Sequence, residues 1–330
     1  MKAIPLNAIP LVRSSSLRPL IDFVGRGGAA FQPLRERLPA PESPDLLLPV
    51  AHAGALFEEA ARRSGIAALG FRLAEATPAA SFGEWRALTA RAPTAGTFLE
   101  RAIATHRRFN TGYRLWLVVR GDEASLVLRY GRTPREGRAQ VLDFTLRMVL
   151  AQLREVLGPA WRPLELHLEG EPPAHAEELA ALATRAIRFR QPALAVVFPR
   201  RCLAERGAPD PLAPALLGGV EAPAADFAGS ARQLVRSLLQ IGVTELAAAA
   251  EAAGLSERSF QRHLQEVGLR YSELVEAARF ESALRLLADP ARRVIDVSTA
   301  LGYSDSANFT RAFRRWSGVS PQRFRAARTG

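Results

Sequence analysis

The chain has 330 residues, 48% of them hydrophobic, so a real core can be buried and the length favours two domains over one. The formal net charge of +11 and the isoelectric point of about 11.1 call for an anionic partner without saying which one. The single cysteine, Cys202, excludes an intrachain disulfide, as suits a reducing cytoplasm, and no apolar run reaches the roughly 18 residues of a membrane span.

Lys2 is the only lysine, so the positive charge is carried by arginine, whose planar guanidinium suits phosphate and guanine. The N-terminal MKAIPLNAIPLVRSSS has prolines inside its apolar part and no clear cleavage site, and it reads as a short arm. Leu17 to Val24 reads as a short helix, and Pro39, Pro41, Pro44 and Pro49 break up the next stretch. Ala53 to Arg63 is an amphipathic helix with Leu56, Ala60 and Ala61 on its buried stripe, and Thr97 to Arg107 is another. Tyr113 to Val119 and Ala124 to Tyr130 are strand-like, and Arg120-Gly121-Asp122 between them makes a β-hairpin. Gln140 to Leu157 returns to the helical period. Leu164 to Leu168 reads as a strand, Ala176 to Ala183 as a helix and Ala193 to Phe198 as a closing strand.

These elements describe an α+β domain over residues 1–206. Residues 207–229, rich in Gly, Ala and Pro, read as a linker, and residues 230–330 read as all helix.

The last part carries an internal repeat. Val294 to Arg328 reads as a helix, a turn at Gly302, a second helix and a docking helix opened by Ser320-Pro321. Ser298, four positions before the glycine, is small where two helices would cross. Ser304 is the expected N-cap, with Asp305 in the first turn. Phe309, Phe313 and Trp316 share one face, and Asn308, Arg311 and Arg315 share another, with Arg314 beside them. The same pattern occurs in Thr244 to Val267: Gly254 matches Gly302, Ala250 matches Ser298, Ser256 matches Ser304 and Phe260 matches Phe309. Arg262 matches Arg311 and Leu264 matches Phe313, and the second copy has one extra residue before its Phe. The chain therefore holds two helix-turn-helix units, joined by a helix over Ser272 to Leu287 that Asp289-Pro290 stops. Such a pair predicts recognition helices, 256–267 and 305–317, in two successive major grooves about 34 Å apart.

On LGYSDSANFTRAFRRWSGVSPQRFR at 301–325 and LSERSFQRHLQEVG at 255–268, the chain resembles AraC/XylS-type transcription regulators. The β-α-β pattern over 165–205 resembles the ending of the arabinose-binding-like N-terminal domain of one branch of that family. The departure lies around 75 to 100, where a clearer helical motif is usual. The resemblance implies a bacterial regulator with an α+β sensor domain, followed by an all-α domain of two helix-turn-helix units joined by a linker helix. It also implies promoter DNA and RNA polymerase as partners, homodimerisation, and a cytoplasmic, nucleoid-associated location.

Within that frame Arg311, Arg314 and Arg315 are expected to touch DNA, phosphate before base. Ser256, Arg258, Gln261, Arg262, Ser304, Ser306 and Asn308 come next, since Arg, Gln and Asn are the side chains that read guanine and adenine bidentately. Arg323, Arg325 and Arg328 are either phosphate contacts or a solvated tail. The histidines His52, His106, His167, His175 and His263 show no ligand spacing, so no metal and no cofactor is expected. Gly25 to Gly28 lacks the Lys-Ser/Thr of a phosphate loop.

Three functions remain. One is a regulator, by expectation an activator, controlled by a small-molecule effector, with Tyr113, Trp116 and Tyr130 as candidate pocket wall. Another is a regulator whose N-terminal domain only dimerises or binds a protein. The last is an enzyme fused to a DNA-binding domain, for which Cys202 lacks the cysteine-rich metal cluster of alkyl-transfer proteins.

Overall fold

The computed structural model describes residues 8–38, 46–77, 92–131, 136–205 and 222–329. The chain divides into two compact units: Pro10–Pro223, and Ala224–Gly330 with residues 7–9. Of the stretch read as a linker, residues 207–221 lie outside the described residues. Its end does not behave as one: Asp226 accepts the Gly229 amide at 2.7 Å and caps a helix that starts at Phe227. Ile9 likewise belongs with the second unit, where its amide donates to Ser230 Oγ at 3.0 Å.

The first unit begins with a short antiparallel pair, β1 (Leu11–Arg13) and β2 (Leu47–Pro49), in which Val12 faces Leu48. Helices α1 (Arg18–Arg26) and α2 (Gln32–Arg35) lie between these strands in sequence. Next come α3 (Val50–Ser64), α4 (Leu69–Ala76) and α5 (Ala95–Thr105). On α3 the expected stripe is fully buried at Leu56, Ala60 and Ala61.

The sheet of this unit has five strands, β3 (Tyr113–Arg120), β4 (Glu123–Tyr130), β5 (Glu165–His167), β6 (Ala186–Arg188) and β7 (Leu194–Pro199), in the order β3-β4-β7-β5-β6. Only β5 and β6 run parallel, joined through the short helix α7 (Ala176–Ala180). The β3–β4 hairpin turns on Gly121-Asp122, since Arg120 and Glu123 already pair, and Gly121 takes a φ of +57°. Strand β4 alternates, burying Ala124, Leu126, Leu128 and Tyr130, while central β7 is buried from Leu194 to Phe198.

The long helix α6 (Arg138–Leu157) covers the sheet, packing on α3, α4 and α5. Helices α4 and α6 meet at Gly70. A Cβ there would lie 2.1 Å from the Gln140 carbonyl oxygen, and the Gln140 side chain bridges the crossing by accepting from Gly70 N–H at 2.8 Å and donating to the Ala67 carbonyl at 2.7 Å.

The second unit is all helix: α8 (Phe227–Gln240), α9 (Leu246–Ala252), α10 (Glu257–Glu266), α11 (Tyr271–Leu287), α12 (Val294–Ala300), α13 (Ser306–Ser317) and α14 (Pro321–Thr329). Its second half is centred on Ala283, Leu287, Val297, Leu301, Phe309 and Phe313. The linker helix α11 joins that core through Phe280, whose ring lies 5.7 Å from Phe313 and 5.8 Å from Trp316. In the first half Phe260 meets Phe227 at 5.8 Å and Tyr271 at 6.1 Å. Among the described residues no helix is long and apolar enough to cross a membrane.

Candidate functional site

The two helix-turn-helix units are built by the same hydrogen bonds. In the first, Leu255 N–H reaches back to the Ala250 carbonyl at 2.9 Å, and in the second Tyr303 N–H reaches the Ser298 carbonyl at 3.1 Å. This is the six-to-one bond of a Schellman ending. It puts Gly254 and Gly302 in the left-handed region, with φ of +70° and +76°. Ala250 and Ser298 are each 1% exposed, so the small residue before each turn sits where the helices cross.

The extra residue of the second copy lies in this turn. Ser256 caps α10 by accepting from Ser259 N–H at 3.3 Å, but the cap of α13 is Asp305, which accepts the Asn308 amide at 2.7 Å. The expected cap, Ser304, is one residue too early and stands exposed in the turn. With Asp305 matched to Ser256, the core phenylalanine comes at the fourth position in both copies.

The outer faces of α10 and α13 carry the candidate contact residues. Arg258, Gln261 and Arg314 are exposed, and their side chains have no hydrogen-bond or ion-pair partner among the described residues, whereas Arg262 pairs with Glu266 on its own helix at 3.5 Å. On α13 the side chains form a relay: Asn308 Nδ2 donates to Asp305, and Arg311 donates to Asn308 Oδ1. Arg315 turns to the linker helix, where it meets Glu276 at 2.6 Å. Ser306 is half-buried at the start of α13. Behind this face Phe309 and Phe313 are fully buried and Trp316 partly so. Ser320 caps α14 through the Arg323 amide at 3.3 Å, and Arg325 Nε reaches the last carbonyl of α11, that of Leu287, at 3.4 Å. The side chain of Arg328 lies outside the described residues.

The first unit holds a cavity of about 320 Å³ between the β3–β4 hairpin and helices α3, α5 and α6. Helix α6 lines it with the stripe Val141, Phe144, Thr145, Met148, Val149 and Gln152, all on one face. Tyr113 and Tyr130 line it from paired positions on the hairpin, with ring centres 5.2 Å apart. Trp116 does not line it: three residues from Tyr113 on one strand, it points to the opposite face of the sheet. Burial raises the pKa of both tyrosines, that of Tyr130 to about 12, so both hydroxyls are neutral. Tyr130 shares its hydroxyl with Thr145 Oγ1 at 3.0 Å. His106 stacks on Tyr113 at 5.3 Å, and burial lowers its pKa, which keeps it uncharged. The aromatic hairpin pointed towards this cavity, but its larger wall on α6 carried no signal beyond helical period.

Comparison with known proteins decides the family. Residues 35–206, more than half of the chain, match the family described as the arabinose-binding domain of AraC transcription regulators, N-terminal, and residues 249–327 match a helix-turn-helix domain family. The chain belongs to the AraC family of transcription regulators.

An ornithine utilization regulator of Pseudomonas aeruginosa is 28% identical to this AraC-family protein over 98% of the chain and 99% of its own length. The regulator VirS of Mycobacterium tuberculosis is 37% identical over 28% of the chain and 27% of its own length. A solved structure of the transcriptional regulator CdpR from Pseudomonas aeruginosa covers 94% of the chain and 98% of its own, at 19% identity and a TM-score of 0.42. The AraC-family protein is a DNA-binding regulator, and its relatives are transcription regulators rather than enzymes. In keeping with that, Cys202 is 4% exposed and its thiol pKa is raised by burial, the opposite of an activated nucleophile.

Proposed function

We propose that α10 and α13 lie in successive major grooves on one face of promoter DNA, and that a small molecule bound in the cavity of the first unit controls this binding to activate transcription. The observation that carries the DNA reading is the repeated turn geometry, Leu255 to Ala250 and Tyr303 to Ser298, on either side of one linker helix in sequence. Arg258, Gln261 and Arg262 on α10, and Asn308, Arg311 and Arg314 on α13, are the side chains assigned to DNA. Arg315 joins them by leaving Glu276. Ser256, Ser304 and Ser306, at the helix starts, are placed for phosphate.

The cavity favours effector control over a first unit that only dimerises. The ornithine named for the 28% identical relative is that protein's and does not by itself give this chain its effector. A homodimer touching RNA polymerase in the bacterial cytoplasm completes the reading.

Footprinting of the purified protein tests it. The expected result is a discrete site with two protected segments about one helical turn apart. Arg311→Ala should weaken binding and reduce the slope of log K against log salt by about 0.9. Unchanged affinity in that variant would show that α13 is not a recognition helix.

A further inference from the structure

The effector reading places a ligand in the cavity of the first unit, and the lining of that cavity restricts what the ligand can be. Among the described residues that line it there is no Asp, Glu, Lys, Arg or His. Two cations stand behind the lining, and both are engaged: the guanidinium of buried Arg13 lies over the Phe109 ring, 6.0 Å from the centre, with its Nε committed to the Arg108 carbonyl at 2.8 Å, and Arg138, beside Tyr130, pairs with Glu169 at 2.6 Å. His106, behind Tyr113, is neutral. The polar groups of the lining are all uncharged, and some are already engaged. Tyr130 is bonded to Thr145 at 3.0 Å, and Asn110 Oδ1 accepts the Gly112 amide at 2.7 Å. Tyr113 and Gln152 have side-chain polar groups with no hydrogen-bond partner among the described residues. Ser15 and Ser16 add two hydroxyls, and the remaining walls are aliphatic or phenyl apart from the Met148 thioether.

We infer that the effector is an uncharged, mainly apolar molecule of about a dozen heavy atoms, aromatic or alicyclic, carrying a hydroxyl or carbonyl that bonds to Tyr113 and Gln152. The size comes from volume: a cavity of about 150 Å³ holds one benzene, and this one is 320 Å³. The polarity comes from desolvation. A carboxylate or ammonium entering here gives up water and meets no counter-charge, so it is rejected. A pentose, with a hydroxyl on nearly every carbon, would set several of them against the aliphatic and phenyl walls that make up most of this lining, so the arabinose in the domain family's description fits it poorly. An amino acid fails for its two charges.

This inference rests on the effector reading, and calorimetric titration of the full-length protein at neutral pH separates the two. The probes are 2-naphthol, 2-naphthoate and L-arabinose. Expected is saturable binding of 2-naphthol, with 2-naphthoate weaker by at least about a hundredfold and no heat from arabinose. Ala102→Phe, which fills the cavity from α5, should abolish the binding. Tyr113→Phe, which keeps the ring and the fold, should weaken it by about three- to tenfold. If 2-naphthoate or arabinose binds as tightly as 2-naphthol and is lost in Ala102→Phe, the cavity is an effector site and the uncharged class is wrong. If no probe binds, or if neither variant alters 2-naphthol binding, the cavity is not the site and both readings fall.

Discussion

The two neighbours Ser304 and Asp305 offer a sharp test of how α13 is started. Both are N-cap residue types, but only Asp305 accepts an amide, that of Asn308 at 2.7 Å, and its other oxygen holds the Asn308 side chain. Loss of an N-cap acceptor costs about 1 kcal/mol, within a range of about 0.5–2 kcal/mol. Asp305 also places its charge at the positive end of the helix, so Asp305→Ala belongs in the upper half of that range. For a unit of about a hundred residues, 1 kcal/mol lowers Tm by about 4–8 °C. Ser304→Ala removes an exposed hydroxyl from the turn and should stay within about 0.5 kcal/mol. Ser256→Ala, which removes the corresponding cap of α10, should cost about as much as an average cap. The assay is thermal unfolding of the full-length protein, with hydrogen exchange at the Asn308 amide to localise the effect. An equal or greater loss in Ser304→Ala than in Asp305→Ala would refute the register of the second unit and, with it, the placement of Arg311.

Other perturbations probe the remaining elements. Glu276→Gln frees Arg315 from an exposed ion pair worth about 0.2–1 kcal/mol, so DNA binding should tighten by about 1.4- to fivefold, and no gain in a gel-shift titration would remove Arg315 from the interface. Gly70→Ala puts a Cβ 2.1 Å from the Gln140 carbonyl, which neither helix can yield without opening the α4–α6 crossing. A loss of about 3 kcal/mol is expected in denaturant unfolding, against a gain under 1 kcal/mol had the site been open. Glu165 is buried on β5 under Arg188, His167 and Arg185, whose hydrogen bonds hold its carboxyl well below the usual range. A depressed folded pKa stabilises the protein fully above the ordinary value of 4.5 and is lost as pH falls below it. The unfolding free-energy deficit of Glu165→Gln, read by denaturant unfolding, should therefore be constant from pH 7 to 5 and shrink at lower pH, by at most about 1.4 kcal/mol per pH unit. A deficit that grows in acid contradicts the ion cluster.

Much of the second unit was legible because its signals are local. A helix of period 3.6, a glycine at a left-handed turn and a phenylalanine four residues after a cap are all fixed within about 20 residues. Both copies therefore appeared with their turns at Gly254 and Gly302. The cap of α13 was displaced by one residue because Ser304 and Asp305 are equally good on propensity, and only backbone geometry chooses between them. Phe227 was missed for the opposite reason: the surrounding Gly, Ala and Pro read as a linker, and its partner, Phe260, is 33 positions away.

The first unit was less legible because its decisive pairings are remote. β1 and β2 are three residues each, with no room for alternation, and they exist because Leu11 meets Pro49 and Val12 meets Leu48 across about 36 positions. α4 carries a glycine at its second position, unfavourable by propensity, which is explained only by the Gln140 backbone it packs against. The cavity combines these problems. Its hairpin wall can be read from strand period, and the same period should have removed Trp116: positions 113 and 116 differ by an odd number and cannot share a face. Its other wall, on α6, has the same composition as any buried helix face, because a stripe that lines a cavity and a stripe that fills a core are both apolar. What distinguishes them is the volume left between α6 and the hairpin, which depends on how far α3 and α5 hold the helix from the sheet. The DNA-binding half thus declares its chemistry in the identity of exposed residues, whereas the first unit declares it only in the space its buried residues leave empty.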